Sequence, residues 1–144
     1  NHDNYTILRT AVIYGTHTRS RFTDWIKSKL ENNEMVDPHV DQFNTPTLVD
    51  DLAKVVIKII QKDVRGLYHA TGKTCINRYE FAIQIAKKFG YDIELIKPVT
   101  ASEKIQKAPR ATSTCLDSSK LEKILEFNFL DISHGIKFIY HNQT

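Results

Sequence analysis

Apolar positions in this chain follow two kinds of spacing, and each predicts a different element. Residues 5–13 carry Ile7, Leu8, Ala11, Val12 and Ile13 with few turn formers, the continuous run of a strand buried on both faces. Tyr14-Gly15 ends it, and residues 16–21 form a polar loop with His17, Arg19 and Arg21. Ser20 or Thr23 is placed to cap a helix striped by Phe22, Trp25, Ile26 and Leu30, with Asn32-Asn33 as its stop. Residues 35–40 read as a weak extended segment broken by Pro38.

The rest of the chain is organised around residues 41–53. A polar loop runs through Pro46 and delivers Thr47 as the predicted N-cap of a helix, with Asp50 at the capping-box position. Leu48, Leu52, Val55, Val56 and Ile59 then mark one face of a helix reaching about Lys62. Such a loop, held by a rigid element, either presents polar side chains to a ligand or is simply a well-capped surface turn.

Beyond it, Gly66 turns the chain into a short strand at Leu67 to Ala70, and Thr71-Gly72-Lys73 turns it again. Asn77, with Glu80 three residues on, caps a helix lined by Phe81, Ala82, Ile85, Ala86 and Phe89. Gly90 stands where a terminating glycine belongs. Residues 93–96 read as a short strand closed by Pro98, and residues 99–115 as an irregular polar stretch around Pro109-Arg110. Ser118 or Ser119 caps a helix with Leu121, Ile124 and Leu125, and Ile132, Ile136 and Ile139 line a final helix over 132–140. Strands alternating with helices predict an α/β fold. Their number is too small for a complete doubly wound sheet, and the run at residues 5–13 starts with no turn before it. The expectation is a fragment, half of a larger fold.

Composition excludes more than it assigns. With 144 residues, 41% hydrophobic and 26% charged, the chain can bury a core. No apolar run approaches the roughly 20 residues of a membrane span. The net charge of +3 is spread over helix faces; Lys87-Lys88 and the lysines of 104–107 are too short and mixed for a nucleic-acid arm. Cys75 and Cys115, without a C-x-x-C pair, read as free thiols of a cytoplasmic protein. There is no glycine-rich phosphate loop, and Thr71-Gly72-Lys73-Thr74 lacks the upstream glycine of one. The six histidines show no ligand spacing, so no metal is expected, and no serine stands in a nucleophile elbow. Arg110, just after a proline, either offers its fork to a phosphate or is a surface arginine.

Several segments, in order, resemble the dTDP-4-dehydrorhamnose reductase family of the extended short-chain dehydrogenase/reductases. They are Leu8-Arg9-Thr10-Ala11-Val12-Ile13-Tyr14-Gly15; the D-Q-x-x-x-P-T block from Asp41 to Thr47; and Gly66-Leu67-Tyr68-His69-Ala70-Thr71-Gly72. Tyr79-Glu80-Phe81-Ala82 and Ala108-Pro109-Arg110, followed by Leu116-Asp117-Ser118-Ser119-Lys120-Leu121, complete the set. The resemblance covers nearly the whole chain and implies the carboxy-terminal part of a Rossmann-like fold: its last strands plus a small substrate-binding subdomain. The family's glycine-rich motif and catalytic Tyr-x-x-x-Lys precede this region. Tyr14, Tyr68 and Tyr79 have no lysine four residues later, so no catalytic residue is expected here.

What the resemblance implies for function follows residue by residue. Thr10 and Ala11 would lie near the nicotinamide of NADP or NAD, held mainly by the absent half. Val12 would face the sugar, Gln42, Asn44 and Thr47 would belong to the substrate-side loop, and Arg110 would contact the nucleotide diphosphate. The implied partners are a nucleotide-sugar substrate, the amino-terminal half and, in a homodimer, a second copy. Many members carry Trp where Val12 stands, and Asn where Arg21 precedes Phe22; losing the ring removes apolar surface for the sugar. Two other readings share the fold. One is a regulatory binding protein like the β subunit of methionine adenosyltransferase, and the other is an epimerase or dehydratase, against which the D-Q-x-x-x-P-T block argues.

Overall fold

The computed structural model describes residues 4–16, 21–103 and 110–142. The sequence features at His2, His17, Arg19, Ser20, the lysines of 104–107, Ala108 and Pro109, and the side chain of Arg21, lie outside the described residues. The elements are β1 (Thr6–Arg9), β2 (Ile13–Tyr14), α1 (Arg21–Glu31), β3 (Phe43–Asn44), β4 (Thr47–Leu48) and α2 (Val49–Gln61). There follow β5 (Gly66–His69), β6 (Ile76–Asn77), α3 (Arg78–Phe89), β7 (Ser113–Thr114), α4 (Ser119–Leu125) and α5 (Ile132–His141). The α/β class is as expected. The strands form two parallel pairs, β1 with β5 and β2 with β4, and one small mixed sheet in the order β6-β3-β7.

The apolar side chains gather in two clusters. One packs α1, α3 and α5 around Tyr14, Ile26, Leu30, Phe81, Ile85, Ile136 and Ile139. Phe81 anchors it, with the Tyr14 ring edge-on at 5.4 Å and Phe22 stacked at 5.3 Å. Gly135 permits this: a Cβ there would overlap the Tyr14 hydroxyl. Burial, then Asp51 and Asp131, raise the pKa of that hydroxyl far above its ordinary value. The second cluster joins Val55 and Ile59 of α2 to Ala70, Leu121, Leu125 and Phe129, with Leu8 and Tyr68 at its margin.

Five expectations are corrected. The run at residues 5–13 is two short strands, and β1 is covered on one face only, leaving Ile7 47% exposed. Thr47 does not cap α2. It lies in β4, and the cap position is Leu48, with no side-chain cap bond. Instead Asp51 turns inward to accept from the Leu130 N–H at 2.8 Å. Val56 is 41% exposed, because α2 meets its core through Val55 and Ile59. Residues 93–96 form a single 3-10 turn at Ile93–Leu95 before Ile96 pairs with Val36. Cys75 and Cys115 form a disulfide, their Cα atoms 5.6 Å apart, so no described cysteine is a free thiol. Forty residues separate the two, and only the pairing of β6 and β7 on either side of β3 brings them together.

Other boundaries match the sequence closely. Asn77 caps α3 by accepting from the Glu80 N–H at 2.8 Å, and Gly90 closes it with φ 76°. Asn33 takes a left-handed conformation just after α1. Among the described residues no helix is long and apolar enough to cross a membrane, and no cluster of His, Cys, Asp or Glu could hold a metal.

Candidate functional site

The small sheet builds the site. Phe43 of β3 sits opposite Asn77 of β6 on one side and Ser113 of β7 on the other. The Phe43 N–H donates to the Thr112 carbonyl at 2.8 Å, and the Thr114 hydroxyl donates to the Phe43 carbonyl at 3.3 Å. Pleating then turns Phe43 outward and Asn44 inward. Segments far apart in the chain thereby meet in one cleft of about 290 Å³, lined by Val12, Gln42, Phe43, Asn44, Arg78, Arg110, Ala111 and Thr114. A cleft this small is at the lower edge of ligand sites, roughly 300–1,000 Å³. A nucleotide sugar would extend beyond the walls this chain supplies.

Three polar atoms of the cleft are buried and unpaired. Gln42 is 7% exposed and Asn44 6%, yet Gln42 Nε2 and Asn44 Oδ1 have no hydrogen-bond partner. Arg78 Nε is likewise buried and unpartnered. Unmade buried hydrogen bonds cost about 1–3 kcal/mol each, so three in one cleft mark groups that a ligand would satisfy. Arg78 lies over the Phe22 ring at 5.7 Å. Burial, and then the positive charge of Arg110, push its pKa below the usual guanidinium value, though an arginine stays protonated at neutral pH. Among the described residues neither Arg78 nor Arg110 makes an ion pair. The cleft is therefore cationic and open to an anion.

Four of the five residues expected on the substrate side, Val12, Gln42, Asn44 and Arg110, come together here. Thr47 does not line the cleft. It is fully buried, donating to the Thr45 carbonyl at 3.2 Å and accepting from the Gly72 N–H at 3.3 Å. Gly72 must be glycine for this approach, since a Cβ would overlap the Pro46 carbonyl. Thr10 and Ala11 follow β1, at the carboxyl end of the parallel pair where such sheets place ligands, with the Thr10 hydroxyl 3.5 Å from that of Thr47.

Sequence reasoning missed Arg78, Phe43 and Thr114. For Arg78 a signal existed: it is the first residue of α3, where a cation opposes the helix dipole. A larger groove of about 480 Å³ lies elsewhere, between β1 and α2, lined by Tyr5, Leu8, Val56, Ile59 and Ile60 among others. It lies on the α2 side of β1, where Leu8 meets Ile59, and none of the buried unpartnered polar atoms belongs to its lining.

A family model described as the RmlD substrate binding domain matches residues 1–143. The chain is 28% identical over 144 residues to a dTDP-4-dehydrorhamnose reductase of Aggregatibacter actinomycetemcomitans, covering 92% of this chain and 49% of that protein. It is also 28% identical over 132 residues to methionine adenosyltransferase 2 subunit beta of Xenopus tropicalis, covering 86% of this chain and 39% of that one. Its fold matches the crystal structure of dTDP-4-dehydrorhamnose reductase from Bacillus anthracis in complex with NADP. The TM-score is 0.89 at 22% identity, over 99% of this chain and 50% of that chain. The chain spans about half the length of such relatives or less.

Proposed function

The chain belongs to the RmlD substrate binding domain family, and we propose that it is the substrate-binding half of an NAD(P)H-dependent reductase of a dTDP-4-keto-6-deoxy sugar. One observation carries this reading: Val12, Gln42, Asn44 and Arg110, separated by up to about a hundred residues, line one cationic cleft. In this role Arg110 holds the nucleotide diphosphate. Gln42 and Asn44 bond sugar hydroxyls with the amide atoms left unpaired in the free cleft, and Val12 meets the sugar ring. Thr10 and Ala11, accessible beyond β1, contact the nicotinamide edge of the cofactor, which supplies the hydride when bound. Thr47 supports the site by fixing Gly72 and Thr45.

The remaining half of the site belongs to an amino-terminal cofactor-binding region, which would also cover Ile7, Ile13 and Leu67. Those side chains are 47%, 43% and 44% exposed here, a face that parallel sheets normally bury. Cytoplasmic placement and assembly as a homodimer complete the proposal; the placement rests on the kinship with dTDP-4-dehydrorhamnose reductases, not on the cysteines.

The test is turnover by the full-length protein. Oxidation of NADPH or NADH in the presence of a dTDP-4-keto-6-deoxy sugar is expected, with loss of affinity in Arg110→Gln. Absence of cofactor oxidation with any 4-keto nucleotide sugar, together with tight binding to a methionine adenosyltransferase catalytic subunit, would replace this reading with a regulatory one. The likeness to the Xenopus subunit makes that the second reading.

A further inference from the structure

We propose that Arg78 is a second phosphate-binding arm of the cleft, gripping one phosphoryl group of the diphosphate while Arg110 takes the other; the inference deepens the reductase reading and rests on it for the nucleotide, but not for the phosphates. Arg78 is placed by elements independent of the loop that carries Arg110. It opens α3 immediately after the Asn77 cap, and Asn77 pairs with Phe43 across the small sheet. Its guanidinium is oriented by the Phe22 face at 5.7 Å, a contact that leaves the in-plane N–H groups free to donate.

Three features of the cleft converge on a polyanion. Two guanidinium groups share it without an ion-paired carboxylate among the described residues. The first turn of α3 adds its own positive end. Arg78 Nε, Gln42 Nε2 and Asn44 Oδ1 are buried and unpartnered, and two of these are donors. Burial first, and then the like charge of Arg110, lower the Arg78 pKa, and two guanidinium groups lining one cleft feel a mutual repulsion in the free protein. A ligand that removes it must bring at least two negative charges and several acceptor oxygens. Each guanidinium fork matches two oxygens of one phosphoryl group, so a pair of forks suits a diphosphate better than a monophosphate.

The roles of the two arginines differ in burial. Arg110 is exposed, whereas Arg78 is partly buried with its Nε out of contact with water. A charge-assisted bond in the drier setting depends more on geometry, so lysine should not substitute for Arg78.

The experiment is calorimetric titration of the full-length protein with dTDP, with inorganic pyrophosphate and with thymidine, for wild type, Arg78→Gln, Arg78→Lys and Arg110→Gln. Loss of a charge-assisted bond of about 1.5–3 kcal/mol corresponds to roughly 10- to 150-fold in affinity. Arg78→Gln is expected to weaken dTDP and pyrophosphate by such a factor and leave thymidine binding unchanged, with Arg78→Lys recovering only part. Wild-type affinity for pyrophosphate in a folded Arg78→Gln, or in Arg78→Lys if the glutamine variant does not fold, overturns the proposal. No pyrophosphate or dTDP binding by the wild type overturns it as well. A wild type that binds pyrophosphate in an Arg78-dependent way but reduces no nucleotide sugar would retire the reductase reading and leave the phosphate arm standing.

Discussion

The helical core around Phe81 and the parallel pair β1–β5 differ in how completely each is covered. In the first, three helices enclose Ile26, Phe81, Ile85 and Ile136, each at most 2% exposed. In the second, α2 and α4 cover one side through Val55, Ile59 and Leu121. On the other side Ile7 and Leu67 remain 47% and 44% exposed, and Ile57 and Ile60 on the outer side of α2 are 55% and 73% exposed. Composition does not separate them, since both are rich in Ile, Leu and aromatics. The difference lies in where the complementary surface comes from. α1, α3 and α5 find each other within this chain, while the outer face of β1 finds nothing among the described residues. The cleft lies on the completed side, which is the side able to hold unpaired polar groups in fixed positions.

The contrast can be tested from its strongest consequence downward. Phe81→Ala should destabilise the chain by about 3–5 kcal/mol, the usual cost of emptying an enclosed aromatic site, read from the urea midpoint. Reducing the Cys75–Cys115 bond should cost at most about 4 kcal/mol, the chain-entropy value for a loop of some 40 residues. Equal urea midpoints with and without reductant would show that the small sheet holds without its staple. Alkali should also destabilise the helical core, because Tyr14 binds its proton more tightly folded than unfolded. Its contribution is complete below the unfolded pKa of about 10 and falls by up to roughly 1.4 kcal/mol per pH unit above it. Tyr14→Phe should flatten that slope. Asn77→Ala should cost about 1 kcal/mol through the lost cap. Ile60→Ala, on the exposed side of α2, should move stability by no more than about 0.5 kcal/mol; a loss like that of Phe81 would mean that side of α2 is covered, by a second copy or otherwise.

Elements set by near neighbours are legible in the sequence itself. The α3 boundaries follow from Asn77, Glu80 and Gly90, and its buried face from Phe81, Ala82, Ile85 and Ala86. Helix caps and 3.6-residue spacing act within one or two turns, so the sequence alone determines them. The reach of β1, the true place of Thr47, the Cys75–Cys115 bond and the presence of Arg78 in the cleft are not legible there. Each depends on a partner at least 25 residues away, as Gly72 is from Thr47, Cys115 from Cys75, and His69 from Arg9. A threonine before a helix is a good cap until a distant N–H claims its hydroxyl. The local pattern of this chain determined its helices and the order of its α/β units; only tertiary pairing decided which polar side chains were left unsatisfied together, because that depends on which other groups compete for them.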